Sequence, residues 1–352
     1  MHLIKSSLLF FLFLLVPAVL FVPSVVAAQQ RYITIVNPLR GNDFFQLQNQ
    51  KPVDNLKKQW QVISDKGLAT NWLISPYALE DDGLIEVVKQ FPLSQELGLF
   101  MEVTPSWAKD AGVNYRQSQS WHNAGSVFLT GYEVGERHKL IDTAFAKFKA
   151  IFGYYPKSVG AWWIDAGSLS YMHDKYGITA NMDVADQYTT DDYQVWGQYF
   201  STPFYPAKRN ALVPASGAEQ KIGVVTIQWA ARDPYNSYGN GVLDSTYSIQ
   251  ANDYANEKYH NLTTDYFKKL ISIYLDNPLS QFNQVTVGLE NDFSWQDFSD
   301  EYIRQLDIVK GLKQSGVQIL TMSGFASSYK LAFPIISPPV VIFAKDPLGF
   351  GG

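Results

Sequence analysis

Cysteine is absent from this chain. With it go disulfides, thiolate metal sites and a cysteine nucleophile. Charge is sparse as well, at 17% of 352 residues against 46% hydrophobic, so stability has to come from one large core. The formal charge of −5 argues against nucleic acid as a partner. Histidine is scarce, and His122, His138, His173 and His260 show no H-x-x-x-H spacing. His138 and His173 fall in helical segments, which leaves His122, in Ser120-Trp121-His122-Asn123, as the one in a loop near the expected mouth. The metal signal is therefore weak, and no cofactor is expected. Internal repeats and low-complexity tracts are missing too.

The long apolar run is at the start. Lys5 supplies a positive region, Leu8–Phe21 an apolar one, and Val26-Ala27-Ala28 a small-residue cleavage site. Residues 1–28 thus read as a signal peptide, broken by Pro17 and Pro23. The protein is expected to be secreted or extracytoplasmic, and to meet a membrane only if that segment stays as an uncleaved anchor.

From residue 29 to 330, short apolar strands alternate with amphipathic helices. Strands are expected at Tyr32–Val36, Asn71–Ser75, Leu97–Val103, Ser158–Ile164, Ile178–Val184, Lys221–Trp229, Gln284–Glu290 and Val317–Thr321. Helices are expected at Pro52–Asp65, Leu84–Phe91, Glu136–Phe152, Leu169–Tyr176, Thr264–Leu275 and Glu301–Gln314. This alternation predicts an α/β fold, an irregular (β/α)7-type parallel barrel. Long loops at 107–130, 186–214 and 235–254 carry many aromatics, and residues 331–352 form an extended tail resembling the start of a further β segment.

Ligands of such folds bind at the carboxyl ends of the strands. Asp165 stands there, after Trp162-Trp163-Ile164 and before Ala166-Gly167-Ser168. Strand parity puts Thr286, Gly288 and Glu290 inward, with Asp292 continuing the pattern; Glu102 follows Gly98 and Phe100. Thr226 and Gln228 are expected to face inward in the sixth strand, with Asp233 beyond them. Two inward acids on separate strands are what glycoside hydrolysis requires, and the same Asp165 could instead cap the next helix. Aromatic residues make 15% of the chain, and flat rings suit the C–H faces of sugars. The candidates for substrate contact are Asn37, Arg40, Glu102, Trp107, Trp121, His122, Trp163, Gln228, Asp233 and Trp295. Trp196, Tyr235 and Tyr238 belong to the same aromatic loops.

Over roughly Arg31–Tyr329 the pattern resembles the glycoside hydrolase/deacetylase superfamily of irregular (β/α)7 barrels. Glu96-Leu97-Gly98 resembles the E-[IL]-G of NodB-type polysaccharide deacetylases, and Phe152-Gly153 with Pro156 their F-G-x-x-P. Trp163-Ile164-Asp165 is similar to the W-x-I-D of family 38 α-mannosidases, where the aspartate is the nucleophile. Gly316-Val317 through Thr321-Met322 resembles the closing strand of family 57 amylase-like enzymes. The paired aspartates and H-x-x-x-H of the metal-dependent deacetylases have no counterpart in Asn37-Pro38-Leu39-Arg40 or Trp72-Leu73-Ile74-Ser75, and the H-x-D of the mannosidases is missing. Family 57 works without metal, with carboxylates on the fourth and seventh strands. The resemblance implies an exported, metal-independent glycoside hydrolase acting on a poly- or oligosaccharide, with Asp165 as nucleophile and Glu290 or Asp292 as acid. A non-catalytic carbohydrate-binding barrel and a deacetylase with a non-standard site are the alternatives.

Overall fold

In the computed structural model the strands run β1 (Gln30–Leu39), β2 (Thr70–Ile74), β3 (Gln95–Phe100), β4 (Ser158–Gly160), β5 (Ala180–Val184), a hairpin of β6 (Pro206–Ala207) and β7 (Asn210–Pro214), β8 (Val225–Trp229), β9 (Phe282–Val287) and β10 (Gln318–Ile319). The structure describes residues 29–42, 50–118, 123–184, 202–237, 246–280, 282–340 and 346–349. The expected signal segment, Trp121, His122, Trp196 and Tyr238 lie outside them.

β1 organises the sheet. Its first six residues pair with β9, its last four with β2, and Tyr32 and Ile33 also pair with β10. From β2 the ladder continues through β3, β4 and β5 to β8, every pairing parallel. β8 and β9 adjoin without a ladder, so the sheet is nearly closed into a barrel. Helices Pro52–Lys66, Asp82–Val88, Val134–Phe152, Ala166–Tyr176, Thr264–Leu275 and Trp295–Gln314 form the surrounding layer. Gly153 ends one of them at φ 83, a left-handed conformation that costs glycine nothing. Among the described residues, no helix is long and apolar enough to cross a membrane.

Glycines mark the interior. A Cβ on Gly98 would lie 2.6 Å from Leu73 and Ser158, and one on Gly160 would lie 2.6 Å from Leu73 and 3.2 Å from Met182. Leu73 thus fills the space that two side chains on β3 and β4 would need. Register carries this face on from Gly160 to Met182 and from Met182 to Ile227. Ile227 and Trp229 are therefore interior, and Thr226 and Gln228 lie on the outer face, the reverse of the parity expected above. All five residues of β8 are buried, so polarity alternation could not tell its two faces apart.

The helix Met322–Ala332 closes the N-terminal ends of the strands. Its first amide, on Met322, donates to Asn71 Oδ1, and Ser323 donates from its amide and hydroxyl to Glu96 Oε2. Phe325 meets Tyr32 edge-on at 5.4 Å. With that end sealed by apolar rings, the strands' carboxyl ends are where the polar groups collect.

Candidate functional site

Arg40, one residue past β1, is the centre of this mouth. Its guanidinium donates from Nε and Nη2 to the two oxygens of Glu102, at 2.9 and 3.0 Å. Nη1 donates to Glu290 Oε2 and, at 2.7 Å, to Asp292 Oδ2. The group lies over the rings of Phe100 and Trp162, 5.5 and 5.4 Å from their centroids. Arg40 is 3% exposed and Glu102 fully buried, whereas the Asp292 side chain is 15% exposed. Burial opposes the Arg40 charge, but Asp292, Glu102 and Glu290 outweigh it and raise its pKa well above the usual value. Asp292 Oδ1 is enclosed and has no protein partner.

The backbone around this cluster is tied by amides that sequence reasoning missed. Asn291 Oδ1 accepts from the Arg40 amide at 2.8 Å, and its Nδ2 returns to the Arg40 carbonyl at 3.0 Å. From helix Pro52–Lys66, Asn55 donates to the carbonyls of Asn291 and Phe293, and Gln59 to those of Leu289 and Glu290. Asn55 and Gln59 are one turn apart, on the helix's buried side. A polar pair at i, i+4 amid Val53, Leu56 and Ile63 was the signal that could have found them. Gln250 Nε2 reaches Glu290 Oε1 at 3.5 Å, and Tyr115 lies near Glu102: burial and then the Glu102 charge raise its hydroxyl pKa.

Asp165 belongs to a separate network. It is the N-cap of helix Ala166–Tyr176, accepting from the Ser168 amide at 3.0 Å and the Ser168 hydroxyl at 2.6 Å. Arg137 Nη1 adds an ion pair at 3.0 Å. No hydrogen bond or ion pair joins Asp165 to the Arg40 cluster. The helix begins three residues earlier than expected because this cap nucleates it. Asp183, also missed, sits behind Asp165: fully buried, it accepts from the Ile164 amide at 3.1 Å and Asn181 Nδ2 at 2.7 Å. Burial, reinforced by the Asp165 charge, raises its pKa well above the usual carboxylate value.

Four other expected contacts lie away from the mouth. Asn37 accepts from the Tyr302 hydroxyl and the Leu289 amide, on the helix-facing side of β1. Trp107 is a core residue in helix Pro105–Asp110, donating from Nε1 to the Leu140 carbonyl. Asp233 is saturated by the amides of Tyr235 and Asn236, the Asn236 side chain and the Tyr266 hydroxyl. Gln228 is on the outer face, with neither amide atom partnered. Trp163 is half-buried, edge-on to Phe128, and its enclosed indole N–H has no acceptor. Trp295 is half-buried at the start of helix Trp295–Gln314, edge-on to Tyr302.

The resemblance to metal-dependent deacetylases makes a metal centre the natural comparison, and the residues do not fit one. Among the described residues no three His, Asp or Glu side chains are arranged to hold an ion. The acids that do converge surround a guanidinium, whose charge repels a cation from the same position.

Fold and site together define a parallel, nearly closed barrel of the glycoside hydrolase/deacetylase type with an arginine-centred acid cluster at its mouth. The chain belongs to the family described as a domain of unknown function with a solved structure (DUF3863), matched over residues 113–335. Similar solved structures include a candidate glycoside hydrolase/deacetylase from Parabacteroides distasonis, 15% identical, covering 87% of this chain and 73% of that one with a TM-score of 0.57. A candidate polysaccharide deacetylase from Pseudomonas aeruginosa PAO1 is 10% identical over 87% and 93% of the two chains, with a TM-score of 0.53. One from Mycobacterium smegmatis is 8% identical over 90% and 96%, with a TM-score of 0.52. Comparison with curated proteins finds no match.

Proposed function

We propose that the protein is an exported carbohydrate-active hydrolase that takes a poly- or oligosaccharide at the barrel mouth. The observation that carries this is Asp292. One of its oxygens is fixed by Arg40, the other is enclosed without a partner, and the side chain is the most open of the three acids around the guanidinium. An orphaned carboxylate oxygen is costly until a donor reaches it, and a sugar hydroxyl is such a donor. The unpaired Trp163 N–H supplies the complementary donor, and the rings of Trp163 and Trp295 suit sugar faces. In this reading Asp292 is the acid that meets the substrate and Asp165 the second carboxylate. Arg40, Glu102 and Glu290 hold Asp292 in place.

A second reading, binding without hydrolysis, is favoured by how the acids are held. Glu290 and Asp292 share one guanidinium nitrogen, so that cation fills the space where a scissile bond between them would lie. Both Asp165 oxygens are already engaged. A glycan screen with Asp292→Asn and Asp165→Asn separates the readings. Hydrolysis lost in both variants with binding retained supports the enzyme. Binding by all three proteins with no turnover supports the lectin-like reading, and absence of any glycan binding removes both.

A further inference from the structure

The three acids around Arg40 carry two more charges than the arginine neutralises, and all are enclosed or nearly so. Taking unbalanced carboxylates out of water costs several kcal/mol per ion. Four of their oxygens lie within hydrogen-bond reach of one planar group: both of Glu102, Oε2 of Glu290 and Oδ2 of Asp292. A fifth, Asp292 Oδ1, is buried and partnerless. An array of carboxylate oxygens converging from the ends of β3 and β9 is what hard divalent ions take, with six or more oxygens about 2.0–2.6 Å from the metal.

We propose that Arg40 is a built-in counter-ion occupying a latent divalent-cation site, and that removing its guanidinium opens that site to a hard metal ion. The positive charge of this mouth is thus covalent and permanent. It ties the end of β1 to those of β3 and β9, and needs no ion from solution to hold Glu102, Glu290 and Asp292 together. The nearest further charges on the Glu290 side are Arg232 and Asp253, 3.9 Å apart, which reach Glu290 through Asn252 and Gln250. That pair balances itself and leaves the excess on the three acids. The inference does not depend on which sugar binds, or on whether any does.

The test is titration of the full chain with manganese chloride, read by the electron paramagnetic resonance signal of free Mn²⁺ and by melting temperature. Wild-type protein is expected to leave the signal and the melting temperature unchanged. Arg40→Met, which keeps an apolar stem against Phe100 and Trp162, and Arg40→Ala are each expected to remove about one equivalent of Mn²⁺ and to melt higher in its presence. Adding Asp292→Asn to Arg40→Met takes away a charged ligand and should weaken that uptake at least about tenfold. Wild-type protein that takes up Mn²⁺ as tightly overturns the proposal. So do folded Arg40 variants that take up none, and variants that stay unfolded with Mn²⁺ present.

Discussion

At the scale of single residues, two buried ionisable groups set opposite demands. Arg40 holds three acids, and its loss leaves them uncompensated; without added metal, Arg40→Ala should lose about 3–5 kcal/mol of unfolding free energy in urea melts. Arg40→Lys should recover only part of this, because an ammonium cannot bond both Glu102 oxygens and Glu290 and Asp292 at once. Asp183 is the reverse case, an acid with no cation against it. Its folded-state pKa is raised, so between the unfolded value near 4 and that higher value the native state binds more protons than the unfolded chain. Wild-type stability from this group is complete at low pH and declines as pH rises through that window. Asp183→Asn should remove the decline. Urea melts of both proteins from pH 4 to 8 should show the variant gaining on wild type as pH rises, by at most about 1.4 kcal/mol per pH unit. A constant difference would mean that Asp183 titrates alike in both states.

At the scale of elements, much of the pattern was legible and one feature was not. The repeated strand–helix alternation, the Gly153 turn and the inward parity of Gly288 and Glu290 follow from periods of 2.0 and 3.6 residues and from glycine's freedom at positive φ. The faces of β8 were not legible, since a strand buried on both sides carries no polarity alternation. Arg40 was named as a site residue, but its three partners lie 62, 250 and 252 residues away in sequence, so their meeting required the closed barrel. The β1–β9 contact is also sterically exacting. A Cβ on Gly288 would stand 1.7 Å from the Val36 carbonyl oxygen and 2.6 Å from the Trp229 ring. Gly288→Ala should therefore cost more than about 4 kcal/mol, enough to lower soluble yield as well as melting temperature. Gly217→Ala, where a Cβ meets nothing within 4 Å, is the control and should leave both nearly unchanged.

At the scale of the whole molecule, the question is whether the mouth is built for chemistry or only for holding. The cap role of Asp165 is structural by geometry, yet it does not exclude chemistry, because the two roles respond differently to one substitution. Asparagine caps a helix as well as aspartate and keeps an oxygen for the Ser168 amide, so Asp165→Asn forfeits mainly the half-buried Arg137 ion pair, about 1 kcal/mol or less. If Asp165 serves only the fold, the variant should melt within a few degrees of wild type and act on any glycan substrate as wild type does. If it is the nucleophile, the same small melting shift should accompany loss of turnover by at least about a thousandfold, with glycan affinity retained. Arg137→Met supplies the cross-check, since it breaks the same ion pair while leaving the carboxylate. A stable protein with turnover intact in Arg137→Met and lost in Asp165→Asn would assign the chemistry to the carboxylate itself, not to the pair that holds it.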